Sequence, residues 1–214
     1  ISDCLVGSEM CIRDRTPSNH FTGVEINTNQ INANELFIAI NGANRDGHDF
    51  VKGLRAPAAA IVERPINVAR VPQLIVKSTK DALYRLATAF IEETNALKIA
   101  ITGSVGKTGT KEMLATCLRQ FGITHANHGN YNNHLGVPLT ILSMPPSISY
   151  LITEIGMNHK GEIEPLSCLV KPNIAIITKI SESHIGQLKS LKEVANEKAT
   201  ICAGSVSYTH LTLP

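Results

Sequence analysis

The sequence predicts an α/β chain: a small N-terminal α/β domain followed by a P-loop domain with a mostly parallel sheet. Three observations predict it. Residues 98–111, KIAITGSVGKTGTK, pass from an apolar run (Ile99 to Ile101) into a glycine-bounded loop closed by Gly106, Lys107 and Thr108, and then into an amphipathic stretch. From Lys98 onward, short apolar runs alternate with segments of helical period, the pattern of parallel strands joined by crossover helices. The 214 residues, 43% of them hydrophobic, hold enough apolar mass for one large domain or two small ones.

The totals also exclude classes. A net charge of +2 and a pI of about 8.3 are too balanced for nucleic acid or an anionic membrane to be the main partner. No apolar run approaches the ~18 residues of a membrane span, and the N-terminus shows no basic segment followed by an apolar signal core. The five cysteines (Cys4, Cys11, Cys117, Cys168, Cys202) are scattered without metal-ligand spacing, so a reduced, cytoplasmic protein is expected. Residues 1–15, which lack a start methionine, and the stretch from Val206 resemble translated sequencing-adapter sequence. Both, 1–15 and 206–214, are expected to be non-native tails, with the native part running from about Thr16 to about Gly204.

The first domain spans residues 16–80. Leu36 to Ile40, Ala58 to Val62 and Leu74 to Val76 are predicted strands separated by turn residues. The Asn-rich segment Asn27 to Asn34 reads as a loop or an edge, and Asn44 to Phe50 as a polar turn. A linker helix over 81–97 follows, centred on Asp81 to Asn95, with Leu83, Leu86, Ala87, Phe90 and Ile91 at helical spacing. The second domain, 98–205, opens on the strand before the glycine loop. The helix after the loop should place Met113, Leu114, Cys117, Leu118 and Phe121 on one face, which makes Cys117 a buried thiol. Then come a strand from Ile123 to Ala126, a helix from Val137 to Met144 and a strand from Ile148 to Ile155. A helix from Glu162 to Val170, a strand from Asn173 to Thr178 and a helix from Leu191 to Ala203 complete the series.

Strand, glycine loop and helix form the context a phosphate-binding loop needs, because backbone N–H groups of the loop and helix N-terminus converge on one anion. Gly103, Ser104, Val105, Gly106, Lys107, Thr108 and Gly109 are the candidate cradle for a nucleoside triphosphate. Lys107 would reach the β- and γ-phosphates, and the Thr108 hydroxyl would take a Mg²⁺ position. The general pattern G-x-x-x-x-G-K-[ST] puts its first glycine where this chain has Ile101; the glycine here is Gly103. A plain glycine-rich turn with a solvated lysine is the alternative reading.

Three further sites fall at the carboxyl ends of predicted strands, where ligands of parallel sheets sit. The segment His128 to Gly136, with Asn130, Asn132 and Asn133, offers amides to a polar substrate or phosphate, although an Asn/Gly cluster is more often a turn. Glu154 ends a strand and is placed to hold Mg²⁺, unless it is an exposed strand-end glutamate. His184 follows the strand near Thr178, where a histidine is otherwise simply solvated.

Together these segments resemble the Mur ligases, ATP-dependent enzymes that lengthen the peptide of the cell-wall precursor. Residues 102–108, TGSVGKT, look like the loop shared by that family. Residues 129–138, GNYNNHLGVP, and 154–163, EIGMNHKGEI, with 46–51, DGHDFV, look most like the member that adds D-alanyl-D-alanine to UDP-N-acetylmuramoyl-tripeptide. The resemblance runs from about Phe21 to about Cys202. It implies ATP and two Mg²⁺ ions as cofactors, the UDP-linked tripeptide and D-alanyl-D-alanine as partners, and a monomer when full length. It implies catalytic roles for Lys107, His184 and Lys198, and metal ligation by Thr108, Glu154, His184 and Lys198. It adds substrate contacts at Asn130, Asn132, Asn133, Asn158 and His159. Lys198, in isolation a helix-surface lysine, matches the lysine that the family carbamylates.

The chain departs from the family at Asn27-Thr28-Asn29, where relatives carry Asp-[Ser/Thr]-Arg, and at Gly109, where a hydroxyl residue is common. The family has three domains, so a truncated P-loop domain is expected here, inactive alone and with exposed apolar strand edges. Sibling ligases that add a diamino acid, folylpolyglutamate-synthase-like enzymes, a P-loop kinase or switch, and a non-catalytic nucleotide-binding fragment are the alternatives.

Overall fold

The computed structural model describes residues 11–12, 21–42, 44–54, 59–68, 71–181 and 190–206. The chain divides into two compact units, Ile1–Ala89 and Phe90–Pro214.

In the first unit, β2 (Gly23–Glu25), β3 (Glu35–Ile38), β4 (Ala59–Val62) and β5 (Gln73–Ile75) are mutually parallel. β1 (Cys11–Ile12), from the segment expected to be a tail, pairs antiparallel with β5, giving the order β1-β5-β4-β3-β2. Phe37, Ala60 and Val62 are buried with Ala39, Val51 and Val71 in one cluster, while Leu36, Ile38 and Ile61, on the alternate face, are buried too. A sheet covered on both faces reads as continuous apolar runs, which is why these strands were legible without alternation. The expected polar turn at 44–50 is instead the start of a 3-10 helix, Gly47–Gly53. Asp46 caps it, accepting the His48 amide. His48 is buried, its Nδ1 is 2.5 Å from Asp46 Oδ1, and its Nε2 accepts the Glu63 N–H at 2.8 Å. Nδ1 therefore carries the imidazole proton. Arg64 above all, with the His48 amide, holds the Asp46 carboxyl well below the usual carboxylate range. α1 (Thr79–Glu92) buries Leu83, Leu86, Ala87 and Ile91 on the predicted stripe.

The second unit alternates as expected: β6 (Leu97–Thr102), α2 (Lys107–Leu118), β7 (Thr124–Ala126), α3 (Gly136–Leu142), β8 (Tyr150–Glu154), α4 (Ile163–Val170), β9 (Ile174–Ile177) and α5 (Leu191–Ala199). A 3-10 turn, Thr200–Cys202, follows α5. All four strands are parallel, in the order β7-β8-β6-β9. The chain passes from β6 over β8 to β7, steps back to β8, then crosses β6 to β9. The order thus reverses at β6, and ligands of such sheets sit at the strand carboxyl ends beside the reversal.

Ile99, Ile101, Ala115 and Ile152 form the core on the α2 face, with Leu114, Leu118, Ala126, Ile174 and Ile176 against it. This corrects the expected face of α2. Met113 and Phe121 are 66% and 76% exposed, and the Cys117 thiol is exposed rather than buried. The inward row is Lys111, Leu114, Ala115 and Leu118, and the helix ends before Phe121. Lysine takes an apolar slot because its ammonium finds a carbonyl inside, as described below. Among the described residues no helix is long and apolar enough to cross a membrane.

Candidate functional site

β6 ends at Thr102, and the chain turns at Gly103 with φ +152°, where a Cβ would lie 2.0 Å from Thr178 Oγ1. Only glycine lets the loop pass this close. Thr178 follows β9 and donates its hydroxyl proton to Val105 O at 2.7 Å. The Ser104 amide donates to Lys179 O at 2.6 Å. Ser104 Oγ donates to Ser181 O (3.1 Å) and accepts from the Ser181 amide (3.0 Å). The glycine loop is therefore laced to the chain leaving β9. Gly106, at φ +88°, caps α2 with no side-chain capping hydrogen bond, so the first-turn amides stay directed at the loop. Lys107 Nζ donates to Gly103 O at 2.8 Å, across the mouth of the same loop.

Glu154, at the end of β8 and buried, meets this loop. Thr108 Oγ1 donates to its Oε2 at 2.8 Å, and Asn132 Nδ2 donates to its Oε1 at 2.8 Å. The Asn132 carbonyl in turn accepts the Gly156 amide at 2.8 Å. A hydroxyl and a carboxylate side by side are hard oxygen donors of the kind Mg²⁺ takes, alongside water and phosphate oxygens. Among the described residues no three His, Cys, Asp or Glu side chains come together.

Lys198, on α5, is buried. Burial first, and then the charge of Lys107, push its pKa down to about 8, against the pull of Glu197. It is not the surface lysine that sequence spacing alone suggests. Glu197, beside it and also buried, accepts the amides of Gly161 (2.9 Å) and Ile163 (3.4 Å) at the start of α4.

The remaining expected residues separate. Asn133 Oδ1 accepts the amides of Leu135 and Gly136, so its side chain is engaged at the start of α3. Asn130 is exposed. Asn158 and His159 expose their side chains, and their amides donate to Glu162 Oε2 (2.6 and 3.1 Å). Gly109 lies in the first turn of α2 with open space around its Cα, and Val105 is 59% exposed at the loop tip. His184 lies outside the described residues.

Four residues at the site escaped the sequence reading: Lys111, Asn127, Thr178 and Glu197. Lys111 carried a usable cue, since it falls three residues after Thr108 and hence on the same helix face. Asn127 carried only its position after a strand.

Residues 101–213 match the Mur ligase middle domain, and residues 20–91 match the Mur ligase family, catalytic domain. The UDP-N-acetylmuramoyl-tripeptide–D-alanyl-D-alanine ligase of Rickettsia prowazekii is 41% identical over 181 residues, covering 83% of this chain and 40% of its own length. The crystal structure of MurF from Acinetobacter baumannii is 33% identical with a TM-score of 0.85, covering 92% of this chain and 44% of that one. The MurF ligase of Thermotoga maritima in complex with ADP is 26% identical with a TM-score of 0.78, covering 88% and 44%. The chain spans about 40% of the length of the curated relatives it matches.

Proposed function

Because the chain belongs to the Mur ligase family, we propose that it carries the substrate-binding and phosphate-loop parts of an ATP-dependent peptide ligase. The activity proposed for the parent enzyme joins D-alanyl-D-alanine to UDP-N-acetylmuramoyl-tripeptide, as the names of its relatives suggest, and a cytoplasmic location is part of the same proposal. The observation that carries the reading is the 2.8 Å bond from Thr108 Oγ1 to Glu154 Oε2, which puts a phosphate loop and a strand-end carboxylate on one spot.

In the proposed division of labour, residues 16–80 hold the UDP end of the substrate, 81–97 link, and 98–205 hold ATP. The tripeptide's terminal carboxylate attacks the γ-phosphorus of ATP, giving an acyl phosphate and ADP. The dipeptide amine then attacks the acyl carbon, expelling inorganic phosphate and forming the amide. The backbone amides from Gly103 to Gly109 bind the phosphates, and Lys107 offsets charge on the transferring oxygens. Thr108 and Glu154 would hold one Mg²⁺, which supplies charge neutralisation at the β- and γ-phosphates. His184 and a carbamylated Lys198 would hold a second. Carbamylation needs a neutral amine to attack CO₂, with loss of one proton. At a pKa of about 8 roughly a tenth of Lys198 is neutral at pH 7, against less than about a thousandth for an ordinary lysine. The substrate roles of Asn130, Asn132, Asn133, Asn158 and His159 belong to the same proposal, as do a monomeric state and the inactivity of this chain alone.

Phosphate release by the parent enzyme with ATP, Mg²⁺ and the UDP-linked tripeptide tests the reading. It should require D-alanyl-D-alanine, depend on bicarbonate, and fall at least about 100-fold in Lys107→Ala. Release driven instead by a single free amino acid would assign the chain to a sibling ligase. Indifference to every acceptor would overturn the ligase reading.

A further inference from the structure

We propose that Asn127 and Lys111 are positioning residues for Glu154: Asn127 clamps the Glu154 backbone to the end of β7, and Lys111 fixes Asn127. The inference rests on the proposed role of Glu154 as a Mg²⁺ ligand.

β7 ends at Ala126, which is in register with Ile152 of β8. Beyond that point the chain leaves the sheet, and a side chain takes over the pairing. Asn127 Oδ1 accepts the Glu154 amide at 2.8 Å, and Nδ2 donates to the Glu154 carbonyl at 2.9 Å and to Tyr131 O at 2.9 Å. A primary amide carries one acceptor and one donor group, so it can mimic a strand neighbour's backbone. The main-chain carbonyl of Asn127 accepts from Lys111 Nζ at 2.7 Å.

Lys111 has no exposed surface, and its Nζ also lies 3.0 Å from Glu112 Oε1, on a side chain that is largely exposed. A buried ammonium is costly, and leucine would fill the same inward slot of α2 without that cost. The charge sits where its contact is the carbonyl of the clamp. Thr108 and Lys111 lie three residues apart on α2, so one helix face reaches Glu154 twice, directly at Oε2 and through Asn127 at the backbone. With Asn132 on Oε1, Glu154 is held at its amide, its carbonyl and both carboxylate oxygens. A ligand fixed in this way needs little further ordering when a cation binds.

The test follows binding of a fluorescent ATP analogue to the 214-residue chain across a Mg²⁺ titration, with thermal unfolding measured in parallel. Lys111→Met and Asn127→Asp should each raise the half-saturating Mg²⁺ concentration about 10- to 100-fold, the usual cost of losing an outer-shell partner. Nucleotide affinity without Mg²⁺ should stay within about twofold, and Lys111→Arg, which keeps a donor, should recover most of the Mg²⁺ response. In a Glu154→Ala background, Lys111→Met should change the Mg²⁺ response no further, because the two act through one group. A lowered melting temperature with an unchanged Mg²⁺ response would reduce the pair to a fold pin and overturn the inference. If Lys111→Met does not fold, Asn127→Asp and Lys111→Arg carry the same readout. A wild-type chain that binds nucleotide without responding to Mg²⁺ would instead remove the proposed role of Glu154, and this inference with it.

Discussion

Gly103 and Gly109 lie at either end of the phosphate loop, and a methyl group at each has opposite consequences. At Gly103 the added Cβ meets Thr178 Oγ1 at 2.0 Å, and φ +152° is strained for any side chain. Gly103→Ala should cost about 1–3 kcal/mol in thermal or urea unfolding and weaken ADP binding, since the loop must shift to accept it. Gly109 meets nothing within 4 Å and sits inside α2. Gly109→Ala should therefore stabilise by roughly 0.5–1 kcal/mol, with ADP affinity unchanged. At this scale the sequence was partly legible. Lys107, Thr108 and Glu154 stood in a pattern whose chemistry is known, and the structure brings Thr108 and Glu154 within 2.8 Å. Lys111 and Asn127 were not legible, because a lysine in a helix reads as solvated and an asparagine after a strand reads as a turn. Their roles come from hydrogen bonds to residues 16 and 27 positions away.

Among the elements, most helices and strands fall within a few residues of where periodicity put them, from α1 to α5. The exception is the orientation of α2. Period puts five residues on one face, with Met113, Cys117 and Phe121 along one edge of it and Leu114 and Leu118 along the other. The core chose the second, and Lys111 could join it only because Asn127 supplies a carbonyl. The pairing of β7 with the end of α3 carries a pH prediction. His125 Nε2 donates to Thr140 O at 2.9 Å, and burial pushes its pKa below the ordinary 6.5, with the Thr140 carbonyl pulling back. The folded-state value lies below the unfolded one. As pH falls through about 6.5 the unfolded chain takes up a proton that the folded chain refuses. The resulting stability is present above that pH and declines below it. The melting temperature should drop as pH is lowered through this range, and His125→Gln should flatten the slope. Asn133→Ala, which strips two amides at the start of α3, should cost about 1 kcal/mol in unfolding.

For the molecule as a whole, each unit has its own apolar cluster. Phe37 is fully buried in the first, so Phe37→Ala should destabilise that unit by about 3–5 kcal/mol. Calorimetry should show its transition lowered while ATP with Mg²⁺ still raises the other. The α/β class was readable because sheets covered on both faces declare themselves as apolar runs; the pairing order was not, because it depends on contacts between distant segments. That distance has a consequence in time. β6 pairs with β8 and β9, and Ser104 is tied to Ser181, 77 residues later. During synthesis the glycine loop emerges first, and its anchor at Ser181 is made 77 residues after Ser104. A nascent chain halted before Thr178 would carry the whole loop motif without a shaped loop, so nucleotide cannot guide the early stages of folding. Ribosome-bound chains ending before β9 should not retain ATP, and retention should begin once the Thr178 to Ser181 segment has cleared the exit tunnel.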